Sequence, residues 1–147
     1  MRKTFLMLVS IILVCACSGP MGPIAGGKLE GTPTPWPDDW AFTDEVENVL
    51  LETNPEDPYS VTVWMVVVDN QPYVAASSTE SQWVRNMRTD PRVLLSVEGR
   101  LYKASALDVT VREDIDRIIQ AYLAKYDIES QEDFVQEGGV AFRLQQR

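Results

Sequence analysis

The chain has 147 residues, 13 of them basic and 22 acidic, which gives a net charge of −9, and it contains no histidine. A body this acidic is repelled by nucleic acid phosphates and by anionic lipid head groups, so neither is an expected partner. The absence of histidine removes Ser-His-Asp and Cys-His catalysis, imidazole zinc sites and histidine-ligated haem from what one chain can build. The carboxylates form no D-x-D-x-D-G loop either, so no metal is expected.

Arg2 and Lys3 precede an apolar run from Phe5 to Val14 that is too short to span a bilayer, and small residues then lead into a cysteine. That is the layout of a secretory signal. Its ending, VCAC, resembles a bacterial lipobox, which implies a signal peptide over residues 1–16 and lipidation of Cys17, because Cys15 follows the bulky Val14. Loss of Arg2 and Lys3 leaves 11 basic against 22 acidic residues, a mature charge of −11, so membrane attachment falls to the lipid alone. Cys15 leaves with the signal and Cys17 carries the lipid, so the domain has no thiol for a disulfide. Ser18 is not the aspartate that retains such proteins in an inner membrane. The resemblance therefore implies the outer membrane, facing the periplasm. Residues 17–39, with five of the nine prolines and no apolar periodicity, read as a flexible tether, and residues 40–147 as one folded domain.

Within the domain, Glu45 to Thr53 is expected to be a strand, although Val46, Val49 and Leu50 also fit one helical face. Asn54 to Pro58, NPEDP, reads as a turn. Val61, Val63, Met65 and Val67 then alternate with Thr62, Trp64, Val66 and Val68, and the run is apolar on both faces beyond Thr62, as a central strand would be. Asp69 and Asn70 supply turn chemistry, and Tyr73 to Ala76 returns as a hairpin partner. Glu80 to Arg88 is a short helix that Ser78 or Thr79 can cap and Asp90 with Pro91 stops. Pro91 to Val97 and Arg100 to Val109 form a second hairpin about Glu98 and Gly99. Thr110 and Glu113 form a capping box for a helix whose Ile115, Ile118, Ile119, Tyr122, Leu123 and Tyr126 share one face. Val140 to Leu144 closes the sheet. The fold class is mainly β with two helices, α+β.

This order resembles the flavin-binding split β-barrel superfamily, which includes pyridoxamine 5′-phosphate oxidases and deazaflavin-dependent nitroreductases. The residues carrying the likeness are VTVWMVVVDNQPYVAAS, SQWVRNMRTDPRVLLSVEGRLYKASAL and AYLAKY. The resemblance implies a homodimer with FMN or another flavin-like cofactor at its interface. Position by position, Ser77, Ser78, Thr79 and Ser81 with Trp83 and Arg85 would hold the phosphate, and Thr62 and Trp64 would line the isoalloxazine. A helix N-terminus rich in hydroxyls is a ready anion site, while SSTES serves equally well as a plain capping loop.

One departure bears on the phosphate. No lysine or arginine occurs between Lys28 and Arg85, and the central-strand positions where the flavin oxidases usually carry a basic residue are Thr62 and Trp64. A phosphate would rely on Arg85, Arg88, Arg92 or a partner chain. An unphosphorylated ligand suits such a site better. Two functional readings stay open: a lipid-anchored oxidoreductase using a flavin-like cofactor, and a non-catalytic lipoprotein that binds a small apolar ligand or serves envelope assembly. No catalytic residue is assigned, and any redox chemistry would be the cofactor's own.

Overall fold

The computed structural model describes residues 18–129 and 139–147. Residues 1–16, expected from the sequence to be a signal peptide, and Cys17 lie outside the described residues. Eight strands form a single curled sheet: β1 (Thr32–Pro33), β2 (Val49–Thr53), β3 (Tyr59–Val63), β4 (Met65–Val68), β5 (Gln71–Ala76), β6 (Arg92–Val97), β7 (Arg100–Asp108) and β8 (Val140–Gln146). Helix α1 (Gln82–Thr89) links β5 to β6, and α2 (Arg112–Lys125) follows β7. The neighbours run β3-β2-β6-β7-β8-β5-β4, all antiparallel, with the short β1 added in parallel to the start of β7.

Both hairpins follow from local chemistry. Asp69 and Asn70 adopt φ of 51° and 59°, as do Glu98 and Gly99 at 50° and 78°. Two consecutive left-handed residues make the tight turn whose twist matches the flanking strands, and Gly99 takes that conformation without Cβ strain. Val68 accordingly pairs with Gln71, and Val97 with Arg100. NPEDP is the turn between β2 and β3, with Asn54 at φ 55° and the Asp57 N–H donating to the Asn54 carbonyl at 3.0 Å.

The run expected to be one central strand is instead two strands at opposite ends of the sheet. It breaks at Trp64, so β3 pairs only with β2 and β4 only with β5. Side-chain phase survives the break. Val61, Val63, Met65 and Val67 all pack into the barrel with Trp40, Leu51, Val74, Leu95, Tyr102 and Leu144, whereas Val66 and Val68 pack against Ile118, Tyr122 and Ala141 under α2. The run is apolar on both faces because a helix covers its outer side, which periodicity cannot distinguish from a central position.

The break leaves backbone groups that α2 satisfies. The Tyr126 hydroxyl accepts the Met65 N–H at 3.1 Å, Lys125 Nζ donates to the Met65 carbonyl at 2.8 Å, and the Tyr122 hydroxyl donates to the Trp64 carbonyl at 3.0 Å. Buried backbone polar groups must find partners, and here they come from one helix.

Two expected caps differ. Helix α2 starts at Arg112 with Val111 at its N-cap and no side-chain cap, so Thr110 and Glu113 form no capping box. In α1 the N-cap is Ser81, also without a side-chain bond; Ser78 accepts from the Glu80 N–H one turn earlier, at 3.1 Å, and Thr79 does not cap.

The expected flexible tether is also corrected over its described part, since residues 18–39 are docked on the barrel. Gly26 and Ser60 exchange backbone hydrogen bonds at 2.9 and 2.8 Å, Leu29 is 3% exposed with its N–H on the Glu52 carboxylate, and β1 lies along β7. Gly26 is required there, because a Cβ would collide with the backbone of Gly19 and Pro20. Trp36 meets Trp40 edge to face at 4.9 Å, and Trp40, with no exposed surface, is at the heart of the core.

Tyr126→Phe keeps the ring but strips the Met65 N–H of its acceptor. We expect a loss of about 1–3 kcal/mol, read as a lowered thermal midpoint with unchanged far-ultraviolet circular dichroism. An unchanged midpoint would show that the bend does not depend on this hydroxyl.

Candidate functional site

On the outer side of the bend, β3, β5, the loop before α1 and α2 enclose a cleft of about 350 Å³. Its lining brings together Thr62, Trp64, Ser77, Ser81 and Trp83, five of the eight cofactor-contacting positions expected from the sequence, and adds Asn48, Ala75, Ala76 and Tyr122. A second cleft of about 330 Å³ shares Thr62, Ser81 and Trp83 with it and is walled on its far side by residues 22–25 of the docked arm. Trp83 therefore stands between two adjoining hollows. Ser78, Thr79 and Arg85 line neither.

Trp64 is the exposed feature of the site, with 41% of its surface open, and it stands at the strand break, on the outward phase between inward Val63 and Met65. Its inner side stacks on Tyr126 with centroids 4.3 Å apart and planes 9° from parallel, and Tyr126 stacks in turn on Tyr122 at 5.8 Å. This layered arrangement gives the cleft a rigid aromatic wall. Burial pushes the Tyr122 hydroxyl well above the usual phenol range, with neighbouring Tyr126 adding to the effect, and burial raises Tyr126 too. Both phenols are neutral hydrogen-bonding groups at ordinary pH. Burial lowers Lys125, whose amine is directed into the carbonyls of Thr43 and Met65 rather than toward the cleft.

The cleft lining contains no charged side chain. The three arginines that could have supplied a countercharge are engaged elsewhere. Arg85 contacts Glu80 at 3.5 Å and donates to Gln82 at 3.1 Å; Arg88 makes two hydrogen bonds to Asp108 at 3.3 and 3.0 Å; Arg92 grips Asp90 and reaches Glu56 at 3.3 Å. Hydroxyls, an amide and indole rings can hold a planar, uncharged ligand by stacking and neutral hydrogen bonds. They offer nothing to balance a dianion. In this chain the donor set fits the ring of a flavin and does not fit the phosphate of FMN. Among the described residues, no group of three or more metal-ligating side chains occurs.

The residues that sequence reasoning missed were hidden for separate reasons. Tyr122 sits in the apolar stripe of α2 and reads as core, which it also is. Asn48 precedes a strand whose start was ambiguous. The arm residues 22–25 had no periodic signal at all.

No protein-family model matches the sequence, and no curated protein matches it. Solved structures do. A conserved hypothetical protein from Mycobacterium tuberculosis superposes with a TM-score of 0.60 at 21% identity, over 72% of this chain and 76% of that one. The heme storage protein HutZ from Vibrio cholerae gives 0.60 at 19% identity, over 72% and 85%. A candidate pyridoxamine 5′-phosphate oxidase from Listeria innocua gives 0.57 at 13% identity, over 71% and 87%. The fold is a split β-barrel, as the sequence resemblance implied.

The Asp90–Arg92 clamp has a pH signature. Hydrogen bonds from the Arg92 side chain and then its backbone hold the Asp90 carboxyl down from 3.8 to about 2. A carboxylate lowered by folding contributes stability above its unfolded pKa and loses it as the pH falls through the folded one. Acid titration should therefore weaken the protein between 3.8 and about 2. Asp90→Asn should flatten that part of the stability curve, measured by denaturant midpoints; an unchanged acid limb would discount the clamp.

Proposed function

We propose that this chain is a lipid-anchored envelope protein whose split barrel binds a planar, uncharged aromatic ligand of flavin-ring type in the cleft between Trp64 and Trp83. The observation that carries this reading is the cleft itself, two indoles with hydroxyl and amide partners and no charged side chain, while the nearby arginines are tied into ion pairs. The split-barrel fold supports it, since a structural neighbour is described as a pyridoxamine 5′-phosphate oxidase candidate. The heme of HutZ is not carried over, because a chain without histidine offers no imidazole ligand. A bound flavin ring would supply redox chemistry, and an oxidoreductase activity would be that of the ring; the chain's own residues stack on it, orient it and exclude charge. The homodimer stays within the proposal, supported by the exposed rim that Trp64 leaves open.

Titration of riboflavin and FMN, followed by quenching of flavin fluorescence, tests the ligand. Riboflavin should bind at least as tightly as FMN, and Arg85→Ala should leave FMN affinity within about twofold. A charge-assisted bond is worth roughly 1.5–3 kcal/mol, so an FMN preference of about tenfold or more that vanishes in Arg85→Ala would overturn the neutral-cleft reading. Binding of neither flavin would overturn the flavin-ring assignment and favour the non-catalytic lipoprotein.

The anchor is tested separately. Cys17→Ser should move the protein from the membrane to the soluble fraction and abolish labelling by palmitate. A mutant that stays with the membrane, beside a wild type that takes up no label, would refute the lipobox reading.

A further inference from the structure

We infer that the turn at residues 21–24 is a membrane-contacting tip that holds the barrel against the bilayer with its second cleft opening toward the lipid. This rests on the proposed acylation of Cys17. A flexible tether would let the barrel swing freely, but the described chain leaves no such slack. The Ser18 carbonyl accepts the Gly27 N–H at 2.7 Å, and Gly26 is paired with Ser60 on β3. The residue next to the anchor is thus fixed to the sheet.

Consecutive Cα atoms lie 3.8 Å apart and a chain spans at most about 3.3–3.6 Å per residue, so Met21 lies within roughly 14 Å of Cys17. Between Ser18 and the arm's return at Gly27 the chain makes a small hairpin. Met21 and Ile24 exchange backbone hydrogen bonds at 3.0 Å each way, with Gly22 at φ +55° in the turn. Their side chains are 62% and 63% exposed, the two most exposed large apolar residues among those described. Residues 18–27 include no charged side chain, in a chain of net charge −9.

An exposed apolar pair on an uncharged loop has no partner within the barrel. A bilayer reached by a lipid a few residues away supplies one, since interfacial segments bury their apolar side chains about 5–10 Å into the head-group boundary. Anionic head groups would repel the rest of the surface, which favours contact through this loop alone. The arrangement sets the orientation of the site. Gly22, Pro23, Ile24 and Ala25 wall the second cleft beside Trp83. A ligand entering there arrives from the membrane surface, which suits an apolar ring.

The test uses the full-length chain, acylated and reconstituted into phosphatidylcholine vesicles. After signal cleavage Cys15 is gone and Cys17 is blocked, so Ile24→Cys or Met21→Cys carries a lone free thiol for an environment-sensitive dye, with Gln120→Cys on the exposed face of α2 as the reference. Lipids with brominated chains should quench the dye at 24 or 21 at least about twofold more than at 120, with a blue-shifted emission. Equal, weak quenching at all three positions, while the protein floats with the vesicles, would overturn the tip. A dye at 24 shielded from iodide as well without vesicles as with them would mean that a second copy covers the turn, and would overturn it too. Failure of the wild type to float, with no acyl mass on Cys17, would refute the anchor and this inference with it.

Discussion

The geometry of this protein depends on how the backbone is satisfied at Trp64 and Met65. One uninterrupted apolar segment serves as both ends of the sheet, and it can do so only by leaving its first partner strand and turning toward another. Such a turn strips carbonyls and an N–H of their ladder bonds in a region that is largely buried. Tyr122 and Lys125 on the last turn of α2, with Tyr126 at its C-cap, supply the missing donors and acceptor. The helix is therefore part of the closure of the barrel as well as a cover for its outer face. The bend that closes the barrel falls at Trp64, whose outward side chain lines the cleft.

The charge distribution follows a second constraint. With 22 acidic residues against 13 basic ones, carboxylates are in excess over the cations that can pair with them. Around α1 the outcome is local pairing: Arg85 with Glu80, Arg88 with Asp108, Arg92 with Asp90 and Glu56. These pairs are largely exposed and add little to stability individually. Arg85, Arg88 and Arg92 line neither hollow beside Trp83.

What could be read from the sequence was what is local. The hairpin return at β5, the Asp69-Asn70 and Glu98-Gly99 turns and the stripe of α2 each carry their signal within a few residues, and those elements stand where the pattern put them. The central-strand assignment failed because burial on two faces says nothing of lateral neighbours; Val66 faces a helix and Met65 a barrel, and the pattern is the same. The caps failed for different reasons: SSTES offers four hydroxyls before α1, and the one that ends as N-cap makes no side-chain bond, while α2 takes Val111, one residue after Thr110, as its N-cap. Of the candidate site, the hydroxyls and indoles were legible through the family resemblance, while the pairing of Arg85 with Glu80 and Gln82, away from the cleft lining, is a side-chain arrangement that no sequence pattern records.

The arm of residues 18–39 shows why a domain boundary is hard to draw from composition. Glycine and proline density reads as tether because such residues cannot sustain a helix or a strand ladder, yet docking needs neither. An isolated backbone pair at Gly26, the two-residue strand β1 beside β7, one buried leucine and Trp36 packed on Trp40 hold the segment. Glycine is what permits the approach, since at Gly26 there is room for a neighbouring backbone and for no side chain. A domain taken to begin at Trp40 would lack Leu29, the strand beside β7 and one wall of the second cleft, which makes the arm an element of the site and the shortest link between that site and the residue proposed to carry the lipid.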